Sequence, residues 1–343
     1  MAMLSSFISG CAGDSLTADE WRFFQDARPC GLILFKRNCQ NPEQLKALIN
    51  SFKDALGSDD LLIMVDQEGG RVQRMAPPNW RRLPPAASYG QLYREDREFA
   101  LTATRAIFQL IAMDLRAMGF NCNCAPVLDL PVPGADIAIG DRAFGPDIGM
   151  IAALGRAVAE GLLAGGVLPA MKHLPGHGRA MQDSHKSLPQ VNASLGTLAE
   201  TDFAPFRALA DLPIGMTAHI LFTDIDRHGP ATTSRLVVDT IIRGQIGFDG
   251  LLLSDDMGMN ALAGTPGERA RAVLAAGCDL ALHCNGKMAE MVDVAGSAGL
   301  LEGRSEERFL AALARRGEAA GAFDVSEALD ALGEVLSMTG TAA

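Results

Sequence analysis

Eight short apolar runs, each followed by a stretch with helical patterning, constrain this chain more than anything else in it. Residues 4–11, 31–35, 61–65, 120–130, 166–171, 213–218, 250–253 and 279–282 read as strands, and several are apolar without alternation, as strands buried on both faces are. Strand–helix units in succession imply right-handed crossovers and a parallel α/β sheet covered on both sides. Eight of them imply closure, so the expected fold is a (β/α)8 barrel of the TIM type. A doubly wound open sheet is the alternative, but no glycine-rich phosphate fingerprint follows the first strand and no G-x-x-x-x-G-K-[ST] occurs.

The helices carry their own start signals. T-A-D-E at 17–20 is a capping box ahead of Trp21 and Phe24. Asn41 caps a helix with Pro42 at its first position, and Leu45, Leu48, Ile49, Phe52 and Leu56 recur at helical spacing until Gly57 ends it. A Pro-rich passage around Pro77, Pro78, Pro84 and Pro85 reads as a long loop before a helix over 95–118. An Ala/Gly-rich helix covers 148–164, and a second capping box at 197–200 starts the helix of Phe203, Phe206 and Leu209. The expectation is one barrel domain over 1–343, with terminal helices packing on it from about Gly303 and a frayed tail over 339–343.

A hydrophobic fraction of 48% supplies a large core, while a formal charge of -11 argues against a nucleic-acid partner or an anionic membrane surface. No run is long enough to span a bilayer. Ile8-Ser9-Gly10-Cys11 resembles a lipoprotein cleavage site, but no Lys or Arg precedes it and the apolar stretch is short, so it reads as the first strand. The seven cysteines are odd in number, scattered and set in apolar runs, which suits the reduced hydrophobes of a cytoplasmic protein. Cys122 and Cys124 share one strand face, yet no second pair completes a zinc or iron–sulphur site, so no metal and no cofactor are expected.

Ionisable groups gather just after the strands, where a barrel builds its active site. The densest stretch is 172–189, K-H-L-P-G-H-G-R-A-M-Q-D-S-H-K-S-L-P, whose prolines and glycines make it read as a loop. Candidate groups on the rim are Asp66, Arg74, Asp129, Arg142, Lys172, His173, Asp183, His185, His219, Asp255 and His283. The H-x-x-x-H at His173 and His177 crosses Pro175 and is no helical metal pair, and there is no G-x-S-x-G elbow. A carboxylate nucleophile with a separate proton donor is what remains. Asp255 follows an apolar strand, which would hold it rigidly at the rim, with one of Asp255 and Asp256 facing the pocket and the other the barrel wall. The pair reads equally as an N-cap for the next segment. Asp183 lies two residues before His185, near enough to orient the imidazole and raise its pKa for proton transfer near neutrality.

Four stretches together are similar to glycoside hydrolase family 3, specifically its short single-domain bacterial β-N-acetylhexosaminidases: D-Q-E-G-G-R-V-Q-R at 66–74, G-D-R-A-F-G at 140–145, K-H-L-P-G-H-G with D-S-H over 172–185, and S-D-D-M-G-M at 254–259. The resemblance implies that Asp255 forms a covalent glycosyl-enzyme with retention of configuration, and that His185, partnered by Asp183, is acid and then base. It implies sugar binding by Asp66, Arg74, Arg142, Lys172 and His173. It further implies a cytoplasmic role in peptidoglycan recycling, releasing terminal N-acetylglucosamine from anhydro-muropeptides, with no nucleic-acid or membrane partner. Leu174 stands where the family often has an aromatic residue, and the C-terminal sandwich domain of larger members is absent.

Rival readings within the family are a β-glucosidase or β-xylosidase, or a phosphorylase using phosphate in place of water. Outside it stand a sugar-binding barrel without catalysis and a barrel isomerase or aldolase with Lys172 as Schiff base.

Overall fold

Parallel strands that are apolar on both faces need cover on both, and this chain meets the demand by closing its sheet. A computed structural model describes residues 3–182, 184, 187–317 and 323–338. Its strands are β1 (Ser5–Ser9), β2 (Pro29–Leu34), β3 (Leu62–Val65), β4 (Cys122–Asn123), β5 (Leu168–Leu174), β6 (Ile214–Thr217), β7 (Leu251–Asp256) and β8 (Leu280–His283). Each pairs in parallel with its sequence neighbours, and β1 pairs with both β2 and β8, so all eight form the expected closed barrel.

Three strands differ from their sequence boundaries in ways that matter for the rim. β5 continues through Lys172, His173 and Leu174, so the two basic residues sit on the strand and not in the loop. β7 includes Asp255 and Asp256. β4 is cut to two residues, because Pro126 has no N–H to continue a ladder. Asparagine side chains extend its backbone pairing with the β3 segment: Asn121 accepts from Ile63 N–H at 2.8 Å and donates to the Leu61 carbonyl at 2.7 Å, and Asn123 does the same for Gln67 at 3.0 Å each.

Side chains facing inward fill the barrel. Ile8, Cys30, Ile33, Leu62, Met64, Cys122, Cys124, Leu168, Met216, Leu253 and Leu282 form one core, and Phe309, Ala312 and Leu313 of the helix Gly303–Ala314 join it. A separate, larger core lies between the strands and the outer helices. The capping box at Thr17 is present: Thr17 Oγ1 accepts from Glu20 N–H at 3.1 Å, and Glu20 Oε2 accepts from Thr17 N–H at 2.9 Å. The one expected at Thr197 is not; the helix Leu195–Glu200 starts earlier, with Ser194 as its cap. The Pro-rich passage is shorter than expected, since its prolines precede a helix, Ala86–Glu95, where they cost nothing. Asp96 then caps the long helix Arg97–Met118. The terminal helix Val325–Ser337 packs against this long helix, while the tail over 339–343 lies outside the described residues.

The long helix meets Ile148–Ala164 at a glycine. A Cβ at Gly161 would stand 2.3 Å from the Arg105 carbonyl oxygen, whereas Gly333 in the terminal helix has nothing within 4 Å of a Cβ. Alanine favours both helices intrinsically by ~1 kcal/mol. We therefore expect opposite signs in thermal unfolding: Gly333→Ala raises the melting temperature slightly, and Gly161→Ala lowers it by ~2–6 °C as the helices are forced apart. A Gly161→Ala protein that melts no lower than the parent would show that this crossing is loose.

Candidate active site

The D-Q-E-G-G-R-V-Q-R stretch folds as it does because a chain leaving β3 must reverse within a few residues. Gly69 and Gly70 supply the left-handed turn, with φ of 108° and 55°, and a Cβ on Gly69 would lie 2.1 Å from the Pro84 carbonyl oxygen. The resulting hairpin, Gln67–Gly69 against Val72–Gln73, brings Arg74 back to Asp66. Gln67 locks the return, its Oε1 accepting from the N–H groups of Arg74 and Met75 at 3.0 and 3.1 Å.

Charged groups from three elements then interlock. Asp66 accepts from Arg74 Nη2 at 2.9 Å and from Lys172 Nζ at 2.8 Å. Lys172 also meets Glu68 Oε1 at 2.5 Å. Glu68 in turn holds Arg142 by two bonds, from Nε and Nη2, at 2.8 Å each. Arg142 ends the short 3-10 turn Gly140–Arg142. Burial alone would raise both carboxyls, but Lys172 and Arg74 hold Asp66 well below the usual carboxylate range, and Arg142 and Lys172 hold Glu68 down to about 2. Burial would likewise strip the Lys172 ammonium of its proton, and Asp66 and Glu68 reverse that, raising its pKa.

A second buried cluster stands on the other side. Asp129, fully buried, accepts from His173 Nδ1 at 2.7 Å and from the His177 N–H at 2.6 Å. This fixes the His173 ring, leaving Nε2 as its other face. His177 packs edge-on to His173 with ring centroids 5.6 Å apart, and its Nε2 lies 3.3 Å from Ser184 Oγ. Burial, reinforced by His173, pushes His177 down to about 4, so its imidazole is neutral at ordinary pH.

Asp255 completes the ring at the end of β7. It is 8% exposed and accepts from the Asp256 N–H at 2.8 Å. Burial would raise its carboxyl; His173, His219, that N–H and Lys172 outweigh it and hold the group below the ordinary aspartate value. The carboxylate is therefore ionised in a largely dry place.

These groups surround one cavity of about 240 Å³, smaller than the ~300–1,000 Å³ of drug-sized sites and suited to a single sugar ring. Its walls include Asp66, Arg74, Arg142, Lys172, His173 and Asp255, every described residue that the sequence nominated for binding or nucleophilic attack. Asp183 and His185 lie outside the described residues. Asp255 and Asp256 both line the cavity, rather than one facing the barrel wall; the Asp256 carboxylate is engaged by the N–H groups of Gly258 and Cys284. Three other rim candidates stand apart from the lining. Asp129 backs His173, His219 bridges Thr232 and the Asp256 carbonyl, and His283 is buried 3.6 Å from Glu290. Sequence reasoning missed His177 and Arg71 in the walls and Glu68 behind them. The i, i+2 spacing of Glu68 from Asp66 was the available signal.

Known proteins share this arrangement of sequence and fold. Residues 15–315 match the glycosyl hydrolase family 3 N terminal domain. The β-hexosaminidases of Thiobacillus denitrificans and Chromobacterium violaceum are 43% and 42% identical to the chain over 278 residues, which is 80% of this chain and 76% and 77% of theirs. NagZ from Neisseria gonorrhoeae, solved in complex with N-trifluoroacetyl-D-glucosamine, superposes with a TM-score of 0.86 at 32% identity over 98% of each chain. A β-N-acetylhexosaminidase from Beutenbergia cavernae gives 0.75 at 25% identity, over 98% of this chain and 96% of its own. The motifs, the closed barrel and these relatives agree: the chain belongs to glycosyl hydrolase family 3, as a glycoside hydrolase of the β-hexosaminidase type.

Proposed function

We propose that this hexosaminidase is a retaining exo-β-N-acetylglucosaminidase that removes terminal N-acetylglucosamine from peptidoglycan fragments, anhydro-muropeptides, in the cytoplasm. One observation carries the mechanism: an ionised, strand-held carboxylate, Asp255, opens onto the same ring-sized cavity as Asp66, Arg74, Arg142, Lys172 and His173. The N-acylated glucosamine bound by the Neisseria relative supports the choice of sugar.

In the first step an Asp255 carboxylate oxygen attacks the anomeric carbon. The bond to the leaving oxygen breaks, and that oxygen takes a proton from His185, assigned on the D-S-H motif alone. In the second step water attacks the same carbon, its proton returns to His185, and the ester to Asp255 breaks. Two inversions give net retention. Asp66 accepts from ring hydroxyls, while the basic groups donate to hydroxyl and acetamido oxygens. A dry site strengthens each of these interactions.

Labelling with a fluorinated N-acetylglucosaminyl donor followed by peptide mapping is expected to place the sugar on Asp255, and Asp255→Ala is expected to lower kcat by at least ~10³-fold. Label on any other residue, or an active Asp255→Ala protein, would sink the mechanism. In the same assay an aryl N-acetylglucosaminide should be cleaved in preference to an aryl glucoside, with or without phosphate.

The depressed Asp255 pKa also sets a pH expectation. A carboxylate whose pKa is lowered stays charged until the pH falls through that lowered value. With an activated aryl substrate, which needs little help from an acid, the acid limb of kcat/KM should lie below pH ~4, the ordinary aspartate value. A limb at about pH 6 that is carried by Asp255 would mean that burial, not its cationic neighbours, dominates the group.

A further inference from the structure

We infer that Glu68 is a positioning residue of the sugar site, fixing which N–H groups of Lys172 and Arg142 are left to meet the substrate. The inference rests on the proposed role of those two cations as sugar donors. Glu68 itself is absent from the cavity wall, and its side chain is 6% exposed. Both its oxygens face inward to the cations: Oε2 takes Arg142 Nε, and Oε1 takes Arg142 Nη2 and Lys172 Nζ.

Counting donors shows what this arrangement leaves over. An ammonium has three N–H groups. Asp66 takes one from Lys172, and Glu68 Oε1 holds the same ammonium in an ion pair at 2.5 Å, so at most two are left over. A guanidinium has five. Glu68 takes two from Arg142 and the Ala138 carbonyl takes a third from Nη1 at 3.2 Å, so two remain. Among the described residues Glu68 is the only ion-pair partner of Arg142, and it alone joins that turn to the β5 lysine. A two-point grip on a planar fork fixes its plane as well as its distance, which a single contact to a flexible stem would not.

Glutamine at this position keeps the shape but replaces one oxygen with an N–H2 group, setting donor against donor. Arg142 would then lose its fixed plane, and sugar affinity would fall while the bond-making group, Asp255, which Glu68 does not touch, would be spared.

The test compares Glu68→Gln, Arg142→Ala and the double variant, using an activated aryl N-acetylglucosaminide, inhibition by free N-acetylglucosamine, and thermal unfolding. Glu68→Gln is expected to raise KM and the inhibition constant by about tenfold or more, with kcat within about threefold of the parent. The double variant should lose less than the product of the two single losses, because both changes act on one guanidinium. Multiplying losses, or a fall in kcat at unchanged KM, would overturn the role of Glu68 alone. An Arg142→Ala protein with unchanged KM and inhibition constant would overturn it together with the sugar-binding assignment. If Glu68→Gln does not fold, Glu68→Asp keeps the charge but is too short for both cations, and it must show the same rise in KM for the inference to stand.

Discussion

A lysine ammonium buried to 2% exposure is the constraint around which the rim is arranged. Such a charge is tolerated in a protein interior only with close counter-ions, and removing one partner from a buried pair typically costs ~3–5 kcal/mol. Lys172 has two, Asp66 and Glu68, and each of these is buried enough to need a further cation of its own. The result is a linear chain, Arg74–Asp66–Lys172–Glu68–Arg142, that cannot be shortened without stranding a charge. Three cations against two carboxylates leave one positive charge in excess beside Asp255. The same chain thereby ties the hairpin after β3, the turn after β4 and the end of β5 into one unit.

The barrel explains why these groups can be so rigid. Asp255 and Lys172 stand on strands whose apolar residues are locked alternately into the interior core and the outer one, and His173 is held through Asp129 on the adjoining loop. A site on strand ends inherits the precision of the sheet beneath it. His177 adds a neutral imidazole to the wall, its N–H held by Asp129 and its ring packed against His173.

The sequence makes much of this legible, for identifiable reasons. Apolar runs of strand length are a one-dimensional signal, so the eight strands, and with them the positions of Asp66 and Asp255 just past two of them, can be read directly, whereas the prolines and glycines after Lys172 and His173 hide that β5 runs through both. Partner choice cannot. Glu68 looks like any acidic turn residue until the Gly69–Gly70 reversal turns it inward, and His177, in sequence half of an H-x-x-x-H that Pro175 breaks, finds its place only where Asp129 captures its N–H. The hairpin at 67–73 and the helix Ala86–Glu95 hide behind glycines and prolines, which mark a break in one pattern without specifying the next element. Thr197 resembles a cap because it has Glu200 three residues on, yet Ser194 holds the earlier, geometrically available position.

Ile33, Met216, Leu282 and Cys284 belong both to the cavity lining and to the packed column that runs down the barrel to Phe309. The well therefore has a solid bottom of hydrocarbon and sulphur. A ring lowered into it cannot pass on through the barrel, so it enters and leaves on the rim side of that floor.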